Sequence, residues 1–235
     1  MEARMTIILG AARFEPDPVR RRTAVAALRD AGERLLDPED VERIRNGLGR
    51  RGATLVSALA YAGLRPSEAL SLRWGDVGEQ AILVREHPWQ LGREGTGAGG
   101  RMVRLLRPLR DDLTAWRSAS SHPTQADPVF PHRSGVPMGE VDWRHWRHRR
   151  FSPAVAMAGL LPNAPRPLDL RHTLACLLIR SGAPLSDVGR EIGINAVEAE
   201  ATYRGVVEES ARGRPRSAGG AILSARKALA LVGAA

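Results

Sequence analysis

The chain has 235 residues, 43% of them hydrophobic, and a formal charge of +9 from 35 basic against 26 acidic residues. That length suits one domain, or one domain with appendages. All the basic residues but Lys227 are arginines, and a guanidinium that forks onto two phosphate oxygens favours nucleic acid over a neutral small molecule as partner. A GC-rich genome also raises arginine over lysine, but it does not by itself produce a positive net charge. No basic amphipathic helix and no apolar run of transmembrane length is found, and the apolar stretch in MEARMTIILGAARF is too short to span. Cys176, the only cysteine, lies in the apolar run TLACLLIR, so a reducing cytoplasm is the expected setting and a core position its expected role.

Residues 1–36 read as a lead-in: a short apolar segment, a break at Pro16 and Pro18, and the basic helical stretch VRRRTAVAALRDAGERLL. The main domain is expected to open at LDPEDVERIRNGL, with Asp37 as cap and Glu39 and Asp40 facing the positive helix end. Helical spacing marks ATLVSALAYAGL, then comes the punctuation of Gly63 and Pro66, then the helix PSEALSLRW, with Arg65 at the junction. AILVREHPWQLGREGTGAGGRMVRLL reads as two strands around a long glycine-rich tip. From Arg107 the pattern returns to helix, broken by SSHPTQADPVFPHRSGVPMG and followed by separate helices around VDWRHWRHRRF and SPAVAMAGL. Residues 170–181 and 185–192 form two helices across the turn SGAP, with Ser186 as candidate cap. The polar linker ARGRPRSAGG then leads to a last apolar helix, AILSARKALALV. The fold class is mainly α with a small antiparallel β-hairpin, divided into a lead-in over 1–36, a main domain over 37–210, and a linker and terminal helix over 211–235.

Three segments, YAGLRPSEALSLRWGDV, PLDLRHTLACLLIRSGAPLSDVGREIG and INAVEAEATY, together resemble the tyrosine recombinase, or phage integrase, family over residues 37–210. The resemblance implies that family's catalytic-domain fold, double-stranded DNA as partner, and strand exchange through a phosphotyrosyl link that needs neither cofactor nor metal. By position it places the family's arginines at Arg65 and Arg171 and its nucleophile at Tyr203. The intervals agree: Ile194 lies twenty-three residues after Arg171 and Tyr203 nine further on. Taken alone, each arginine is an ordinary surface or capping residue and Tyr203 a packing residue; the ordered boxes reverse that reading. Two arginines can hold the non-bridging oxygens of a phosphodiester and neutralise charge in the transition state, and nearby positive charge favours the phenolate of a tyrosine. His172 either assists at the phosphate, by contact or proton transfer, or packs. Glu68 and Asp76 stand where the family has acids that orient the arginine and cap local structure.

Departures from the family pattern are equally specific. Its box-opening histidine is Leu168 here, its Gly-His histidine is Ile194, and the hairpin has no lysine to protonate the leaving 5′ oxygen. Arg93 and Arg101 flank the hairpin tip and are expected to bind DNA phosphate; an arginine is a poor proton donor there, which leaves water or His87 to compensate. Residues before the main domain resemble the end of the family's core-binding domain and its linker, so DNA binding that is weaker, and more salt-sensitive per remaining contact, is expected. Two functions therefore stand side by side: an impaired integrase-type recombinase, and a degenerate recombinase that binds DNA or protein without cleaving. The last helix could dock into a neighbouring copy and build a homo-oligomer, as C-terminal helices do in the family.

Overall fold

The computed structural model describes residues 35–85, 100–121 and 123–232. Nearly all of the lead-in over 1–36, and the hairpin tip with His87 and Arg93, lie outside the described residues. Helix α1 (Pro38–Asn46) starts with proline and two acids and ends with Arg43 and Arg45, in line with its dipole. Asp37 occupies the position before it but caps no backbone N–H. Its carboxylate instead accepts from Arg180 at 3.0 Å, because a full guanidinium charge is a stronger donor than a peptide N–H. This corrects the expected cap.

Helix α2 (Arg50–Tyr61) is buried on every side from Thr54 onward, as an apolar helix without a polar face must be. Around it pack α1, α4 (Arg107–Ser118) and α7 (His172–Arg180), whose residues Thr173–Ile179 are buried in turn. Between α2 and α4 come α3 (Pro66–Ser71), a 3₁₀ turn at Trp74–Asp76, and the antiparallel pair β1 (Ala81–Val84) and β2 (Arg101–Arg104), with Val84 opposite Arg101. Ile82 and Val103 face each other in the core, so β2 alternates and sends Arg101 and Val103 to the protein side. The fold is thus mainly helical with one two-stranded antiparallel sheet among the described residues.

Helices α5 (Glu140–Trp146) and α6 (Ser152–Met157) are not separate, because a π-helical turn at Arg147–Phe151 joins them into one rod. Pro153 has no N–H for the preceding turn, and the widened turn accommodates its ring without a break. Helix α8 (Leu185–Ile192) starts directly after Pro184, which leaves Ser186 inside the first turn and not at the cap; the fixed φ of proline already sets the entry. Asn195 caps α9 (Ala196–Ser210) by accepting from the Glu198 N–H at 2.8 Å.

Helix α10 (Ala218–Val232) folds back on α1, α4 and α7 of its own chain. Its Arg226 enters an acidic niche, donating from Nε to Glu42 at 3.1 Å and from Nη2 to Asp112 at 2.7 Å. Arg45 bonds the same two carboxylates, Tyr61 donates to Glu42 at 2.6 Å, and Ser57 donates to Asp112 at 2.7 Å. Burial and the Glu42 charge push the Tyr61 hydroxyl well above its usual range. Removing one member of such a buried group leaves charge uncompensated. Arg226→Met is expected to lower stability by on the order of 3 kcal/mol in urea unfolding, whereas Arg180→Met, at an exposed pair, should lose less than about 1 kcal/mol.

Candidate active site

Arg65 sits at the corner between α2 and α3, where Pro66 holds the first helical position. Gly63 makes the corner, with φ of 60°, a value most residues avoid. The Arg65 N–H donates to Glu68 at 2.7 Å, and its side chain reaches Glu68 at 3.2 Å and the Gly193 carbonyl at 2.7 Å. About a third of that side chain remains exposed (35%), so a ligand can approach its outer edge.

Arg171 ends a 3₁₀ turn, Asp169–Arg171, at the start of α7. Asp169 stabilises the turn by accepting the Arg166 N–H at 2.8 Å and the Arg166 guanidinium at 2.7 Å. The Arg171 side chain is buried and donates from Nη2 to the Ile192 carbonyl. Its Nε is buried with no acceptor among the described residues. Burial, and then repulsion from Arg65, bring this guanidinium down to about 10. A cation in such surroundings lacks an anion.

Arg101 lies at the tip end of β2 and forks onto Glu68, Nη1 to Oε1 at 2.6 Å and Nη2 to Oε2 at 2.8 Å. Its Nε donates to the Glu191 carbonyl at 2.8 Å. Burial raises the Glu68 carboxyl, but Arg101 and the Arg65 N–H together hold it below its ordinary value. Three of the five Arg101 donors are thus directed into the protein, and the residue braces the site. Asp76 accepts the Arg73 N–H at 3.2 Å and Arg85 at 2.7 Å, so it closes the neighbouring 3₁₀ turn.

Tyr203, midway along α9, is fully buried. His172 Nδ1 lies 2.6 Å from its hydroxyl, the two rings being tilted by 51°. Burial first, and then the charge of Arg171, pull the imidazole down to about 4. A neutral imidazole protonated on Nε2 accepts the phenolic hydrogen at Nδ1 in this pose, whereas one protonated on Nδ1 donates to the hydroxyl.

Of the residues expected from sequence, Arg65, Arg171, His172, Tyr203 and Arg101 converge; Leu168 and Ile194 do not contribute polar groups. Leu168 is 41% exposed at the mouth of the 3₁₀ turn. Ile194 packs on the core while its N–H bonds the Gly189 carbonyl at 2.9 Å, the apolar contact usual after a helix that ends in a left-handed glycine. Sequence reading missed the end of α8, whose carbonyls of Glu191, Ile192 and Gly193 receive Arg101, Arg171 and Arg65. The signal was present in REIG, a helix followed by glycine.

The phage integrase family model matches residues 11–208. The tyrosine recombinase XerC of Corynebacterium efficiens is 30% identical over 155 residues, covering 66% of this chain and 46% of that protein. An integrase/recombinase of Escherichia coli is 28% identical, with 76% of this chain and 61% of that protein covered. The chain thus spans about half to three fifths of the length of these relatives. Among solved structures, the XerA recombinase aligns with a TM-score of 0.60 at 22% identity, covering 78% of this chain and 64% of that one. The Tn1549 transposon integrase, in complex with circular intermediate DNA, aligns with a TM-score of 0.57 at 17% identity, covering 77% and 65%.

The His172 environment makes stability depend on pH. Unfolded, the imidazole takes a proton near 6.5, whereas the folded protein holds it off until about 4. The unfolded state therefore binds more protons between these values, and stability falls as pH drops through that window, by on the order of 3 kcal/mol. Urea unfolding of the wild type from neutral pH down to about pH 4 should show this loss, and His172→Asn should lack that share of it. Parallel pH curves for the two proteins would refute the assignment.

Proposed function

Because the chain belongs to the phage integrase family, we propose that it binds duplex DNA and breaks and rejoins a strand by passing a phosphodiester to Tyr203. The observation that carries this reading is Arg171: a buried cation beside a second one, Arg65, with an Nε–H that no atom of the described residues accepts. A tetrahedral phosphodiester supplies two non-bridging oxygens, one for each guanidinium. Preorganised donors of this kind stabilise the charge that builds up on those oxygens during transfer. Tyrosine as acceptor retains the energy of the ester for rejoining, so the reading calls for no metal or cofactor.

The rod formed by α5, the π turn and α6 suits the DNA partner. Arg144, His145, Arg147, His148, Arg149 and Arg150 are all exposed along it, an electrostatic footprint for a phosphate backbone. The Tn1549 integrase, which shares the fold, is solved with DNA, and that supports the same partner here. No helix among the described residues is long and apolar enough to cross a membrane, and we place the protein with its DNA in the cytoplasm. Exchange of α10 between copies would give a homo-oligomer in which Arg226 re-forms its bonds with Glu42 and Asp112 of a neighbour.

Leu168 and Ile194 favour a second reading, a degenerate recombinase that binds DNA without cutting it. Neither side chain moves a proton, and each lost acid or base is worth ~10²- to 10⁴-fold in rate. A library of nicked duplexes of randomised sequence separates the two. Under the first reading it yields SDS-resistant protein–DNA adducts that vanish in Tyr203→Phe; adduct-free but retarded DNA would establish the second.

Binding itself is checked by salt titration. Replacing Arg147, Arg149 and Arg150 together by alanine should weaken duplex binding and flatten the log–log salt dependence by about 2 to 3. An unchanged slope would remove this ridge from the DNA face.

A further inference from the structure

We propose that His172 is the proton acceptor for Tyr203, taking over at the nucleophile a task for which Leu168 and Ile194 have no chemistry. This rests on the reading of the chain as a DNA-cleaving enzyme. Nδ1 stands 2.6 Å from the tyrosine hydroxyl, inside the range in which a general base receives a proton directly. The two residues ride on α7 and α9, which pack against each other.

The groups that act on the ring are few. Arg171, Asp169 and Arg166 face it from the 3₁₀ segment and the residues before it, and Tyr203 faces it from α9. No charged group of α2, α8 or α10 acts on it among the described residues. Burial, and then the positive charge of Arg171, keep the imidazole neutral, hence able to accept. When a phosphodiester binds Arg171, its negative charge offsets that repulsion, and the imidazole becomes more basic at the step where basicity is needed.

The step balances as follows. The Tyr203 oxygen forms its bond to phosphorus while the bond from phosphorus to the 5′ oxygen breaks and leaves its electron pair on that oxygen. The phenolic proton passes to His172 Nδ1, and water protonates the departing 5′ oxygen. In rejoining, the 5′ hydroxyl attacks phosphorus and gives up its proton to the hydroxide that the first step left in solvent, the tyrosine oxygen departs, and the imidazolium returns its proton to it. A phenol loses acidity as a barrier only while its oxygen gains a bond, so the transfer is concerted with attack and does not require free phenolate.

Four proteins and two measurements test this with the 235-residue chain. Asparagine at position 172 offers an oxygen where Nδ1 stands, so it can hold the tyrosine hydroxyl, but it cannot take the proton. On nicked duplexes that trap adduct, His172→Asn and His172→Ala should both slow adduct formation by about 10²-fold or more. Added imidazole should restore part of the rate in His172→Ala. The wild-type rate should be flat from about pH 6 to about pH 9, and the variant rates should climb with pH as hydroxide replaces the lost base. Wild-type speed in His172→Asn would show that the histidine only positions the tyrosine, and a faster His172→Ala would make it a restraint; either overturns the proposal.

¹⁵N NMR of the imidazole, which needs no cleavage, gives the second measurement. Nδ1 should be unprotonated at neutral pH and should shift in Tyr203→Phe. A proton on Nδ1 would overturn the proposal even where adducts form. Absence of adduct in the wild type, with the expected Nδ1 signal, would instead fail the cleavage reading and leave the proton pair standing.

Discussion

Three guanidinium groups end on three consecutive carbonyls. Arg101 donates to Glu191, Arg171 to Ile192 and Arg65 to Gly193. The last carbonyls of any helix have no partner inside it and carry the negative end of its dipole, so the end of α8 is a natural receptor for cations. Gly193 makes the arrangement possible. With φ of 71° it turns the chain in the left-handed sense, and a side chain there would begin 3.3 Å from the Arg101 guanidinium carbon. Alanine would therefore be strained by its backbone and crowded by its neighbour.

Like charges so close repel, and one carboxylate holds them. Glu68 is buried, takes both arms of Arg101, and takes the N–H and one arm of Arg65. It does not touch Arg171. The group as a whole therefore carries more positive than negative charge, and its deficit is concentrated on the most buried of the three cations. The same contacts tie β2, the α2–α3 corner, the turn before α7 and the end of α8 to one point. Arg104 adds a second bond from β2 to α8 through the Glu191 carboxylate at 2.6 Å. The arginines proposed to hold a phosphate and the local architecture thus depend on the same few bonds.

Much of this was legible in the sequence because the boxes are local. Arg65 with Glu68, and Arg166 with Asp169, are each three residues apart, where spacing alone fixes which side chains meet. The hairpin and the paired helices around SGAP were readable for the same reason. What the sequence did not disclose depends on long separations or on backbone atoms. Arg101 looked like a phosphate ligand because its flank of the hairpin is basic; only the fold reveals that Glu68 lies within its reach. The carbonyl receptor has no side-chain signature beyond the glycine. Asp37 and Ser186 looked like caps by residue type, yet Arg180 and Pro184, remote or merely adjacent, decided otherwise. Arg226 carried no pattern at all, since its partners come from α1 and α4.

The departures at Leu168 and Ile194 bear on a different part of the chemistry from the arginines. Ile194 replaces a polar residue at the very position where the helix end is closed by an apolar contact, so its gain is in packing while the carbonyl receptor stays intact. Leu168 lies at the turn's outer edge, where its loss of a polar group leaves the Arg171 bond to Ile192 untouched. On the proposed reading, holding a phosphate and moving protons therefore fall to different residues. The imidazole next to Tyr203 matters for that reason: it lies behind the arginines, on the nucleophile's side, where neither substitution reaches it. On the proposed reading, a site with two guanidinium groups for the phosphate and one base beside Tyr203 is short chiefly of the acid for the leaving oxygen. That group is also the one whose task water can perform, because an alkoxide is protonated by water without any prearranged donor.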